Sequence, residues 1–139
     1  MKFIFSLTLA ALAAQTSAQE VDLTGKISVE LNAAVSTDTS CTLTFMIING
    51  LDAQIDKAVY ETVLFDTDGQ VNRLTLFDFG SLPPARPRVR QFAVHEMSCD
   101  QLGRVLFNGA NTCEGADLED GICAKGLTLS SRTNIEVLG

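Results

Sequence analysis

The stretch that decides the fold is Ala58-Val59-Tyr60-Glu61-Thr62-Val63-Leu64-Phe65, followed by Asp66-Thr67-Asp68-Gly69 and, after Gln70, by Val71-Asn72-Arg73-Leu74-Thr75-Leu76-Phe77-Asp78-Phe79. The first run is rich in β-branched and aromatic residues and carries apolar side chains on both parities, as expected of a strand in the middle of a sheet. Asp68-Gly69 then supplies the positive φ that a tight turn needs, and the chain resumes as a second strand. The segment therefore predicts a β-hairpin.

Working outward, the same signals recur. Ile27, Val29 and Leu31 alternate with Ser28, Glu30 and Asn32, and Cys41, Leu43, Phe45 and Ile47 alternate with Thr42, Thr44 and Met46. This period of two marks half-buried strands, and Asn49-Gly50 punctuates the end of the second. Toward the C-terminus, Gly80 to Pro87 holds three prolines and cannot be a central strand. Val89 to Val94 reads as a strand. Gly103 to Asn108 reads as another, preceded by a helical turn capped by Ser98 or Asp100. Leu127 to Ser131 and Asn134 to Leu138 read as a final strand pair or one long strand broken near Arg132. Seven or eight short strands result, with no amphipathic stretch long enough for a sizeable helix. That pattern predicts an all-β antiparallel sandwich or small barrel, in a single domain over residues 19–139.

Residues 1–18 read differently. Lys2 gives a positive start, Phe3 to Ala14 is almost uninterruptedly apolar, and Gln15-Thr16-Ser17-Ala18 ends in small residues, so a cleavable secretory signal is expected with its cut after Ala18. The apolar run is too short for a bilayer-spanning helix, which needs roughly 20 residues. No later segment is long and apolar enough either, and no membrane insertion is expected after processing. The chain has 10 basic and 17 acidic residues, and losing Lys2 leaves a net charge of about −8. Such a charge disfavours phosphate backbones, so nucleic acid is not an expected partner.

Four cysteines, Cys41, Cys99, Cys113 and Cys123, lie beyond the signal. In an exported chain of this size they predict two disulfides and a periplasmic or secreted location. Sequence permits three pairings. Cys113 with Cys123 is preferred because it closes the Gly- and acid-rich loop from Glu114 to Ile122, which leaves Cys41 with Cys99. Zinc would need C-x-x-C spacing or more than the single histidine, His95. No cofactor is expected.

A resemblance carries the fold one step further. Glu61 to Gly69, then Leu82-Pro83-Pro84, then Val89-Arg90-Gln91-Phe92, resembles small extracytoplasmic immunoglobulin-like domains of the FxLYD type, which place an aromatic-Asp-x-x-Gly turn after one strand. The chain is also similar to short, signal-bearing exported proteins of alphaproteobacteria in its Leu76-Phe77-Asp78-Phe79-Gly80, Arg86 to Phe92, Ser98-Cys99-Asp100 and Leu129 to Thr133 stretches. The resemblance implies an immunoglobulin-like sandwich and brings no activity with it. There is no tryptophan to pack against an inter-sheet disulfide, unlike antibody domains.

Candidates for chemistry are few. His95 is the one residue of the type suited to general acid-base work near neutral pH and has Glu96 beside it as a candidate orienter, but neighbours on a strand face opposite sides, so a surface histidine is the plainer expectation. Ser130-Ser131 lacks the G-x-S-x-G setting of a hydrolase nucleophile. Asp66-Thr67-Asp68-Gly69 resembles the opening of a calcium loop without the closing glutamate, and Asp117, Glu119 and Asp120 form a second acidic stretch; both read first as solvated turns. Arg86, Arg88 and Arg90 share one face if extended and form the only basic cluster. They are the candidate docking stripe for an acidic protein partner of the cell envelope, against the alternative of a charged, proline-bearing edge that resists aggregation. The expected function is a non-catalytic exported interaction module. An inhibitor of an envelope or secreted hydrolase, using Ser81 to Pro87 or the Cys113 to Cys123 loop, is the first alternative, and an acidic-loop calcium binder or weak enzyme the second.

Overall fold

The computed structural model describes residues 22–139, so the expected signal and its cut lie outside the described residues. Eight strands form two four-stranded sheets. They are β1 (Ile27–Ser36), β2 (Ser40–Asn49), β3 (Ile55–Asp66), β4 (Val71–Leu82), β5 (Arg88–His95), β6 (Leu102–Glu114), β7 (Leu127–Ser131) and β8 (Glu136–Leu138). The first sheet has the order β5-β2-β1-β7 and the second β4-β3-β6-β8. The expected all-β sandwich is the observed one. The second strand pairs with the fifth and the third with the sixth, as strands B with E and C with F do in immunoglobulin-type sandwiches.

The C-terminal strands correct the purely antiparallel expectation. Rather than pairing with each other, β7 lies parallel to β1 and β8 parallel to β6, in different sheets. The chain changes sheets through a turn in which the Ser131 and Thr133 hydroxyls accept the N–H groups of Thr133 and Ile135. The Arg132 N–H donates to the Leu31 carbonyl and its side chain bonds Glu30, which fixes the departure point. Asn32 and Arg132 hold the Glu30 carboxyl below its usual range.

The core follows the alternation. Ile27, Val29 and Leu31 of β1 and Cys41, Leu43, Phe45 and Ile47 of β2 are fully buried. They face Tyr60, Leu64, Phe77, Phe79 and Phe107 of the second sheet in one cluster. Phe45 sits at its centre, with ring centroids of Phe77, Phe79, Phe92 and Phe107 at 5.8–6.0 Å. A buried aromatic side chain contributes about 1.5–3 kcal/mol, which makes this cluster the main weight of the sandwich.

Disulfides join Cys41 to Cys99 and Cys113 to Cys123, with Cα–Cα separations of 4.9 and 6.1 Å. The first ties β2 to a 3-10 turn, Cys99–Gln101, in which the Ser98 N–H donates to the Gln101 side chain. The second holds a single helical turn, α1 (Ile122–Lys125), against β6. Two disulfides belong to an oxidising, extracytoplasmic environment. No helix among the described residues is long and apolar enough to cross a membrane.

Candidate functional site

The arginine cluster is where β5 decides matters. Arg88 and Arg90 do share a face, and it is the face of Phe92 and Val94, opposite Ile47 and Phe45 of β2. Both side chains therefore lie along the mouth of the sandwich, between the edge strands β5 and β4. Arg90 Nε donates to the Phe79 carbonyl at 2.8 Å and Nη2 to the Ser81 carbonyl at 3.2 Å. From the other side, Arg73 of β4 donates through Nη1 to the His95 carbonyl at 2.7 Å. Two arginines thus lace the two unpaired strand edges to each other and occupy carbonyls that another chain could otherwise pair with. Arg88 donates only to the neighbouring Pro87 carbonyl, and Arg86 is exposed on the connecting loop. That loop is pinned by the Ala85 N–H on the Asn49 carbonyl, with Ala85 at a φ of 59°.

His95 closes β5 opposite Ser40 of β2, and its Nδ1 lies 3.1 Å from the Ser40 hydroxyl. Sequence reasoning set Glu96 aside as a partner of His95 and had no signal for Ser40, because cross-strand partners leave none in the local sequence. Glu96 takes a φ of 58° just past the strand end and gives its N–H to the Thr39 carbonyl. The hydroxyl and imidazole are within proton-transfer reach, yet no carboxylate among the described residues bonds the ring to fix its tautomer. Ser131, by contrast, spends its hydroxyl in the turn that leads to β8.

The acidic candidates separate as well. The Asp66 carboxylate accepts the N–H groups of Asp68 and Gln70, and so serves its own hairpin turn. Asp117, Glu119 and Asp120 stay exposed on the loop bridged by the second disulfide. Among the described residues no group of three His, Cys, Asp or Glu side chains could hold a metal ion.

A surface that sequence reasoning did not single out is the outer face of the second sheet. Leu74 of β4 lies opposite Val63 of β3, Val63 opposite Leu106 of β6, and Leu106 opposite Leu138 of β8. One apolar row crosses all four strands. Leu76 extends it, and Leu74 and Leu76 are 61% and 54% exposed. Val59 and Val63 are nearly covered although they lie outside the interior cluster, so the face shields its own centre. Its polar members are largely engaged: Glu61 accepts from Asn108 at 2.7 Å, and Arg104 pairs with Glu136 at 3.7 Å. The signal was present in β4, where Leu74 and Leu76 fall on one parity and Phe77 and Phe79 on the other, too many apolar residues for a strand with one buried face.

Comparison with protein-family models, with curated proteins and with solved structures finds no match for the chain.

Proposed function

We propose that the mature chain is a non-catalytic protein-interaction module of the cell envelope, periplasmic or secreted, that docks a partner on the outer face of its second sheet. The observation that carries this reading is the exposed pair Leu74 and Leu76 at the end of a four-strand apolar row. Contiguous exposed apolar surface in a small water-facing domain marks an interaction site, because leaving it wet gains nothing for stability. The laced edges of β4 and β5 support docking by the face rather than by strand addition. The two disulfides fit the location. The Ser40–His95 pair, with no orienting acid and a largely buried hydroxyl, supports the non-catalytic part of the proposal.

The test is site-specific photo-cross-linking in the native envelope. A photoreactive residue at position 74 is expected to yield one dominant adduct, while the same residue at Thr128, on the outer face of the first sheet, yields none. The double substitution Leu74→Asp, Leu76→Asp should abolish the adduct formed from position 106, half-buried on the same row, and change stability by no more than about 0.5 kcal/mol, since both substituted side chains are exposed. Equal cross-linking from positions 74 and 128, or an adduct that survives the double substitution, overturns the proposal.

A further inference from the structure

At the pole where β1 begins and β2 ends, three chain segments enclose a cleft of about 370 Å³ that shares no residue with the apolar face. Its walls are the Thr24-Gly25 turn, the Gly50 to Ala53 turn, and the Asp117 to Ile122 part of the disulfide-bridged loop. Leu51 and Leu118 form an apolar floor that rests on the core, and Ile122 adds to it. Around the rim stand Asp52, Asp117 and Glu119, all exposed and none in either ion pair of the described residues. The nearby lysines, Lys26 and Lys125, do not line the cleft.

The walls are fixed before any ligand arrives. Fully buried Asn49 donates its side-chain amide to the Ala53 and Leu82 carbonyls and accepts the Leu51 N–H, which sets the second turn. The Gly25 N–H donates to the Gly50 carbonyl, and a Cβ on Gly50 would fall 1.9 Å from the Leu23 carbonyl oxygen, so the first two segments are pressed together. A Cβ on Gly115 would fall 2.6 Å from the Gln54 carbonyl oxygen, which seats the third segment against the second. The Cys113–Cys123 bridge closes that loop. Rigid walls cut the ordering cost of binding.

We infer that this cleft binds a basic segment of another protein, an apolar side chain flanked by lysine or arginine, with the side chain on Leu51 and Leu118 and the cations against Asp52, Asp117 and Glu119. The charge arrangement selects this occupant. Three carboxylates that do not converge as metal ligands cannot chelate one small ion, but they suit positive charges spread along a chain. Each exposed pair contributes little by itself, so the apolar floor supplies anchoring while the carboxylates and the strongly acidic balance of the chain, 17 acidic against 10 basic residues, steer encounter. The same field disfavours anionic partners.

The test uses the isotope-labelled mature protein and an acetylated, amidated Lys-Leu-Lys-Leu-Lys peptide followed by amide chemical shifts. Shifts are expected at Thr24, Gly25, Gly50 to Ala53 and Asp117 to Ile122, with affinity falling steeply as salt is raised. The Asp52→Asn, Asp117→Asn, Glu119→Gln variant, altered only at exposed positions, should bind about tenfold more weakly, and a Glu-Leu-Glu-Leu-Glu peptide should leave the cleft amides unmoved. Absence of shifts at millimolar peptide, equal binding by the neutralised variant or by the acidic peptide, or calcium alone moving the same amides and displacing the peptide would each overturn the inference. Leu74→Asp, Leu76→Asp should bind the peptide like the parent, so this result stands or falls apart from the docking face.

Discussion

Tyr60 shows how much one side chain decides. Its ring stands 5.4 Å from that of Phe107 and 5.8 Å from that of Phe79, and its hydroxyl donates to the buried Cys123 carbonyl at 2.8 Å. One residue thereby ties β3, in the middle of the second sheet, to the helical turn that carries the second disulfide. Burial pushes its phenol well above the ordinary value near 10. Above that pH the unfolded chain has lost a proton that the folded chain keeps, so the unfolded state binds fewer protons and stability falls as pH rises. The stabilisation is complete below pH about 10 and drains away above it. Because the chain has one tyrosine and no tryptophan, the phenolate absorption band reports on this group alone. That band should emerge only together with the loss of sheet circular dichroism. Tyr60→Phe should cost about 1–3 kcal/mol at neutral pH, by stranding a buried carbonyl, and should make the alkaline decline shallower. A phenolate that titrates near pH 10 with the sheets intact would contradict this account.

At the level of strands, the lacing of β4 to β5 is the feature with the clearest consequence. Arg90→Ala removes a forked donor from the Phe79 and Ser81 carbonyls and uncovers the rim of the aromatic cluster. The expected cost is about 1–2 kcal/mol, because the site is only half-buried. Self-association should also rise with concentration in sedimentation runs, since freed edge carbonyls invite pairing. Arg90→Lys should not restore the parent behaviour, as an ammonium cannot span two carbonyls in the geometry of a guanidinium. A monomeric, undiminished Arg90→Ala protein would show the lacing to be incidental. The same strands show what the sequence could tell. Alternation in β1 and β2 was readable because each has one wet face, and the shared face of Arg88 and Arg90 was readable too. That this face belongs to the interior followed from Phe92 and Val94 on the same parity, a clue outweighed by the habit of assigning charge to solvent. Strand β6 runs to Glu114, past the expected end at Asn108, because register shifts between Val59 and Tyr60 and between Glu61 and Thr62 absorb Asn111 and Asn108. The destinations of β7 and β8 were beyond reach, since periodicity marks a strand without naming its neighbour, and each neighbour lies far back along the chain.

The whole molecule is a short chain whose sheets meet over one modest core, and its two disulfides are not equivalent in that design. Small domains bury a limited fraction of their surface and lean on cross-links for the remainder. The Cys41–Cys99 bridge closes 58 residues, whereas Cys113–Cys123 closes 10 residues around the acidic loop, and each has one fully buried end. Loop-closure entropy assigns the long bridge about 4 kcal/mol and the short one about 3 kcal/mol. Core location does not change the order, because Cys41 and Cys123 are both fully buried and Cys99 and Cys113 both partly so, and alanine underfills the interior in either case. The double variant Cys41→Ala, Cys99→Ala should therefore lose more thermal stability than Cys113→Ala, Cys123→Ala, with a difference of roughly 1 kcal/mol, or about 3–6 °C in Tm for a domain of this size. The short bridge should matter more for binding: without it the Asp117 to Ile122 wall is released, and the basic peptide should lose affinity while the sheets stay folded. Calorimetry and the peptide titration on the same two variants check both halves. The reverse stability order would mean that the acidic loop, rather than the aromatic interior joining the two sheets, is the part of the fold most in need of a covalent restraint.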